Sequence, residues 1–156
     1  MSIKYDITDL INNMIELEIC GNKFYTAQAR QNENPLLTQL FKVLAEQEER
    51  HQEVYERLLE KIGCEVEIVD EDYQGYLKEI IDGKFSLDPR HAAVCKGPNE
   101  VLEMAMKLEN DSIRFVEAFG KLTGLSYQQI VEQIGQQERN HLNMLIKMKT
   151  QITSEK

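Results

Sequence analysis

The chain has 156 residues and a net charge of −9, with 18 Lys and Arg against 27 Asp and Glu, a size that suits one domain. The acidic balance, with a pI near 4.9, excludes the basic face of a nucleic-acid binder and the polybasic patch of a membrane-surface protein. Apolar residues at 42% exclude a disordered chain, and 8 Gly and 3 Pro are too few for an all-β chain with many tight turns.

The N-terminal run MSIKYDITDLINNM carries acids early and no long apolar core, so no secretory signal is expected. No uncharged apolar run is long enough to span a membrane. Cys20, Cys64 and Cys95 form no CxxC pair. An odd count without a leader is the mark of reduced thiols, and a cytoplasmic protein is expected.

The first predicted helix covers 7–31, with Asp6 or Thr8 as its cap. Its inner stripe is Leu10, Met14, Leu17, Glu18, Gly21, Tyr25 and Gln28, at helical spacing. A loop of Asn32, Glu33 and Asn34 leads to Pro35, which is tolerated in a first helical turn. The second helix, 35–62, is roughly 40 Å long at 1.5 Å per residue. Its stripe runs Leu40, Leu44, Gln47, Glu48, His51, Tyr55, Leu58 and Ile62, and Gly63 is placed to end it in a left-handed conformation.

From 63 to 98 the periodicity fades. One short helix from Asp70 to Asp82 is predicted there, through Tyr73, Tyr76, Leu77 and Ile80, inside a crossover long enough to return along a bundle. A third long helix covers 99–122, capped by Asn99, with the stripe Val101, Ala105, Leu108, Glu109, Ser112, Val116 and Phe119. Gly124 is a stop. A fourth, 126–152, opens on a Ser126–Gln129 capping box with Leu125 and Ile130 as a hydrophobic staple. Its stripe is Ile130, Ile134, Gln137, Glu138, His141, Leu145, Met148 and Ile152. Two short loops and one long crossover predict a single all-α domain, a ferritin-like four-helix bundle of antiparallel pairs.

Each of the four stripes is broken by a glutamate: Glu18, Glu48, Glu109 and Glu138. A buried unpaired carboxylate is costly, and four facing one another need cations; two divalent ions would balance the charge. His51 and His141 each follow a glutamate by three residues, on the same helix face. One Glu from each of two helices and one Glu-x-x-His from each of the other two is the ligand pattern of di-iron carboxylate bundles. The pattern also repeats. Glu18 begins EICGNKFY and Glu109 begins ENDSIRFV, while QEERH ends at His51 and QERNH ends at His141. An internal duplication of a helical hairpin, with one ligand set per half, accounts for both. A single Glu-x-x-His is more often a solvated face than a site, but here that excuse must hold for six residues in register.

These segments, with Phe24–Tyr25, AEQEERH and KLENDS, resemble the rubrerythrin branch of the ferritin-like di-iron proteins. The resemblance implies two bound irons, with Mn or adventitious Zn as alternatives, and reduction of peroxide or dioxygen at a site formed by Glu18, Glu48, His51, Glu109, Glu138 and His141. Rubrerythrins proper carry a rubredoxin domain; with no CxxC in this sequence, the electron donor is expected to be a separate protein. The family also has an extra glutamate where this chain has Ser112, and the pseudo-equivalent position is Gly21. Both are small, which would leave room for an oxidant. The aromatic crossover and the resemblance together imply a homodimer.

Tyr25 and Tyr55 lie on the ligand stripes, either as supports of the site or as core packing. Gln47 and Gln137 are either hydrogen-bond donors behind the ligands or boundary residues. His91 lacks a glutamate partner, and Cys20 is turned away from Glu18 around the helix. A metal-binding or iron-handling bundle without turnover, or a bundle that holds metal for stability alone, is the alternative to a redox enzyme.

Overall fold

The computed structural model describes residues 5–63, 71–84 and 97–154, with the side chains of 71 and 72 left aside. His91, Cys64 and Cys95 lie outside the described residues. The elements are α1 (Ile7–Gln31), α2 (Pro35–Gly63), α3 (Glu71–Asp82), α4 (Pro98–Thr123), a 3-10 turn (Gly124–Tyr127) and α5 (Gln128–Ser154). Among the described residues there is no strand and no helix long and apolar enough to cross a membrane.

Local chemistry explains most helix ends. Asp6 caps α1 through a reciprocal box: its carboxylate accepts from Asp9 N–H at 2.9 Å, and the Asp9 carboxylate accepts from Asp6 N–H at 2.8 Å. Asn34 Oδ1 accepts from Leu36 N–H at 3.0 Å and so caps α2 behind Pro35. Three expectations need correction. Gly63 is the last residue of α2, and the positive-φ glycines among the described residues are Gly97 and Gly124. The cap of α4 is Gly97 rather than Asn99, because Pro98 takes the first helical position and needs no hydrogen-bonded N–H. The Ser126–Gln129 box and its staple do not form. The chain leaves α4 at Gly124 (φ 63°), and the 3-10 turn passes directly into α5, leaving Leu125 83% exposed.

The core is split into two apolar clusters. One joins Leu10, Met14 and Leu17 of α1 to Tyr55, Leu58 and Ile62 of α2, Phe115 and Phe119 of α4, and Ile134 of α5, with Leu77, Ile80 and Ile81 of α3 closing that end. The other joins Phe24 and Tyr25 of α1 to Leu37, Phe41 and Leu44 of α2, Val101, Leu102 and Leu108 of α4, and Leu145 of α5. The first cluster therefore collects the start of α1 and α5 and the end of α2 and α4. So α2 and α4 run parallel, as the long crossover requires. The α3 end is tied down by paired bonds between Tyr5 and Gln74, 2.9 and 2.8 Å, and by Lys84 reaching Asn13 and Glu16 at 2.6 and 2.7 Å.

Helix α1 packs most extensively on α2, and α4 on α5, while α2 and α5 touch only lightly. Between those two lies a cleft of ≈ 580 Å³ whose lining includes Gln47, His51, Val54, Gln137, His141 and Met144. Its presence explains why Ile130 and Gln137, read as part of an inner stripe, are only half-buried.

Candidate metal centre

The gap between the two clusters falls at the same level on all four long helices. On α1 it lies between Leu17 and Phe24, on α2 between Ala45 and Tyr55, on α4 between Leu108 and Phe115, and on α5 between Ile134 and Leu145. Glu18, Glu48, His51, Glu109, Glu138 and His141 fill this layer, each at most 3% exposed. A core this dry penalises four carboxylates heavily, so the layer needs cations.

The six residues form two overlapping groups. Glu18, Glu48, His51 and Glu138 make one, and Glu48, Glu109, Glu138 and His141 the other; in each, one ligand atom per residue lies within 4.8 Å of all the rest. Glu48 and Glu138 belong to both. Each group keeps a histidine with its own Glu-x-x-His glutamate, as the sequence pairs them, and adds the shared glutamate of the other half of the chain. His51 Nδ1 is 2.8 Å from Glu138 Oε1, on the opposite half, and 3.8 Å from Glu18 Oε2. His141 Nδ1 is 3.5 Å from Glu109 Oε2 and Glu138 Oε2, and 3.6 Å from Glu48 Oε1.

Those last three separations are too long for hydrogen bonds. They match donor atoms sharing one ion, because bonds near 2.1 Å set the edge of a tetrahedron at about 3.4 Å. Glu18 Oε2, Glu109 Oε2, Glu138 Oε2 and His141 Nδ1 are all buried without a hydrogen-bond partner among the described residues. Buried polar atoms are rarely left so. Carboxylate oxygens with one imidazole per group suit a divalent ion of the Fe, Mn or Zn kind. The residues present therefore fit a pair of metal ions.

Protons and carboxylates share the cluster when no metal does. Burial pushes the His141 imidazolium toward losing its proton, but the surrounding carboxylates of Glu109, Glu138 and Glu48 outweigh it and push the pKa up to about 12. Burial acts on His51 in the same way, and Glu138, Gln137 and Glu48 again leave it raised. Glu109 is held well above the carboxylate range by burial and by the charges of Glu138 and Glu48; Glu48 is raised by burial and Glu138. Burial would raise Glu138 too, but the neighbouring Glu109, His141 and His51 groups outweigh it and leave it below that range. The two rings face each other with centroids 5.8 Å apart.

The chain belongs to the rubrerythrin family. Its sequence matches the family's model, described as Rubrerythrin, over residues 9–149, a span that takes in all four long helices and all six residues of the cluster. Neither the curated proteins nor the solved structures gave a match. A rubrerythrin-family chain with a buried glutamate–histidine cluster is an all-α, ferritin-like protein with a cluster able to hold metal.

The supporting residues divide. Tyr25 donates its hydroxyl to Glu109 Oε1 at 2.7 Å, and burial first, then the Glu109 charge, keeps the phenol protonated well above its usual range. Tyr55 is buried, and its hydroxyl lacks a partner; burial and the charges of Glu138, Glu48 and Glu109 keep its proton on as well. Ser112 is buried one turn after Glu109. The room beside Gly21 is bounded by Glu48, whose carboxylate lies 3.4 Å, an ordinary contact, from where a Cβ would stand. Cys20 is half-buried with a free thiol. Gln47 and Gln137 contact the histidines as acceptors: His51 Nε2 meets Gln137 Oε1 at 2.6 Å, and His141 Nε2 meets Gln47 Oε1. The sequence leaves these two glutamines as either donors behind the ligands or boundary residues; they stand beside the site as acceptors, and their partners are not legible in it.

Proposed function

We propose that the chain is a di-metal redox protein that reduces a small oxidant, peroxide or dioxygen, with electrons from a separate donor protein. Glu48 and Glu138 serve both ions, Glu18 and His51 complete one set, and Glu109 and His141 complete the other. The observation that supports this most is the convergence of four orphaned buried ligand atoms in a rubrerythrin-family bundle. When bound, two Fe(II) ions would supply the two electrons that, with two protons from solvent, take hydrogen peroxide to two waters, and the donor would return those electrons.

The chain's own part is to bind, shape and dry the site. Four carboxylates offset two divalent charges, so the loaded layer is neutral inside an apolar core. The Tyr25 hydroxyl holds one oxygen of Glu109, which leaves Oε2 turned to the ion. The Tyr55 hydroxyl, buried and unpaired, donates a hydrogen bond to a bound oxidant. The clusters above and below exclude water, which strengthens each electrostatic contact.

The test is anaerobic mixing of the Fe(II)-loaded protein with peroxide. One peroxide consumed per two irons, and repeated consumption when a reductant is supplied, is the expected result. Full peroxide turnover by metal-free protein contradicts it. An iron-handling role without turnover is a second reading, favoured by Ser112 standing where rubrerythrins place an extra glutamate. Oxidation of the iron once, with no further consumption under reductant, would support that reading.

A further inference from the structure

Each histidine of the cluster presents two nitrogens to different surroundings. Nδ1 faces carboxylates, and Nε2 faces a glutamine from the other half of the chain: Gln137 for His51 at 2.6 Å, and Gln47 for His141. A ring that offers its Nδ1 lone pair to an ion carries its remaining proton on Nε2. That N–H needs an acceptor, and a glutamine amide oxygen is a neutral one. A glutamine at the edge of a cleft ordinarily turns its amide to water. Here two half-buried glutamines both turn inward, each to the histidine across the cleft, where α2 and α5 otherwise touch only lightly.

We infer that Gln47 and Gln137 are positioning residues that work across the halves: Gln47 sets the ring and tautomer of His141, and Gln137 those of His51. This rests on the di-metal reading. Each glutamine directly precedes the shared glutamate of its own helix, Glu48 or Glu138. A single stretch of α2 therefore supplies both a carboxylate common to the two ions and the support for the imidazole that α5 contributes. The same holds for α5 with the roles exchanged. Metal affinity in each set then depends on the spacing between α2 and α5, since the Gln–His bonds span it.

The experiment is a Zn(II) titration of the full-length apoprotein against a chromogenic chelator. Partners that orient a metal-bound histidine typically contribute 10- to 100-fold to affinity. Gln47→Leu is expected to weaken one of the two binding steps by about that factor, and Gln137→Leu the other. Gln47→Glu and Gln137→Glu keep the acceptor and hold or raise affinity. Adding Gln47→Leu to His141→Ala changes little, because that ion is already lost, whereas adding it to His51→Ala weakens the remaining one by the same 10- to 100-fold. Leucine variants that keep wild-type helicity and wild-type affinity for both ions would overturn the inference, as would glutamate variants that lose as much as leucine. If His51→Ala and His141→Ala both bind two ions normally, the di-metal reading itself fails and takes this one with it. Should the leucine variants not fold, nitrogen-15 NMR of the Zn(II)-loaded wild type decides. Slowly exchanging Nε2 protons on both rings are expected; protons on Nδ1 contradict the proposal.

Discussion

The two ligand sets are alike in what charge balance demands and differ in what refines it. Each has a glutamate of its own, a histidine, and a share of Glu48 and Glu138. Glu109 is also held by the Tyr25 hydroxyl, whereas the pseudo-equivalent of Tyr25 in the other half is Val116, which packs into an apolar cluster. His141 Nδ1 stands 3.5–3.6 Å from three carboxylate oxygens, while His51 Nδ1 is hydrogen-bonded to Glu138 at 2.8 Å. The Glu109 set is already spread as an ion requires. The Glu18 set must first give up the His51–Glu138 bond. The two halves keep the ligands in register while their supports differ, and the Glu109 set is expected to fill first and bind more tightly.

The comparison breaks most completely at a shared carboxylate. Glu138→Ala should reduce metal content after dialysis from two ions per chain to nearly none, because both groups lose a ligand; His51→Ala should leave one. Retention of one ion by Glu138→Ala would mean that the sets are independent.

Proton competition comes next in size. The raised pKa of His51 and His141 stabilises the metal-free fold fully below their ordinary value of 6.5, and this contribution is lost as pH rises toward about 12 for His141. Glu48 and Glu109, raised above 4.5, act in the same direction: charging them in the fold costs stability as pH climbs. Glu138 opposes this only below 4.5, where it would have to take up a proton. The melting temperature of chelator-treated protein should therefore fall between about pH 5 and pH 9. Metal displaces those protons, so Zn(II) affinity should rise over the same range. The Tm gap between loaded and stripped protein widens with pH; a metal-free Tm that rises with pH contradicts the charge assignment.

Tyr25→Phe sharpens the contrast between the sets. It removes a hydrogen bond to a charged group, a loss of about 1.5–3 kcal/mol. Titration should show at least tenfold weaker binding in the Glu109 set and an unchanged Glu18 set, bringing the two closer. The smallest effect belongs to Leu125→Ser. With no staple to lose and the side chain 83% exposed, its stability by thermal or urea unfolding should stay within about 0.5 kcal/mol of wild type.

How much of this was legible in the sequence depends on the range of the forces involved. The four long helices declared themselves because an inner stripe repeats at helical spacing in each, and the short helix of the crossover did so through Leu77 and Ile80. The cluster declared itself because Glu18, Glu48, Glu109 and Glu138 interrupt those stripes, and burial of a carboxylate demands a reason. The crossing of the halves was not legible. Which carboxylate His51 meets, and which glutamine caps it, depends on how α2 and α5 face each other across the cleft, and helical periodicity carries no such information. Local signals also misled where several competed. Ser126 and Gln129 spell a capping box, but Gly124 at positive φ already turns the chain, and the 3-10 turn delivers it into α5 without a cap. Small residues at Gly21 and Ser112 suggested space, and what bounds it beside Gly21, the Glu48 side chain of the neighbouring helix, is not legible from spacing.

The most direct test is an anaerobic Fe(II) titration of the metal-free wild type and of Glu138→Ala, followed by the optical or Mössbauer signal of bound ferrous iron. The account predicts saturation at two irons per chain in the wild type, with the set containing Glu109 filling first, and near-complete loss in Glu138→Ala. Failure of the wild type to bind iron stoichiometrically, or two irons retained without Glu138, would contradict it.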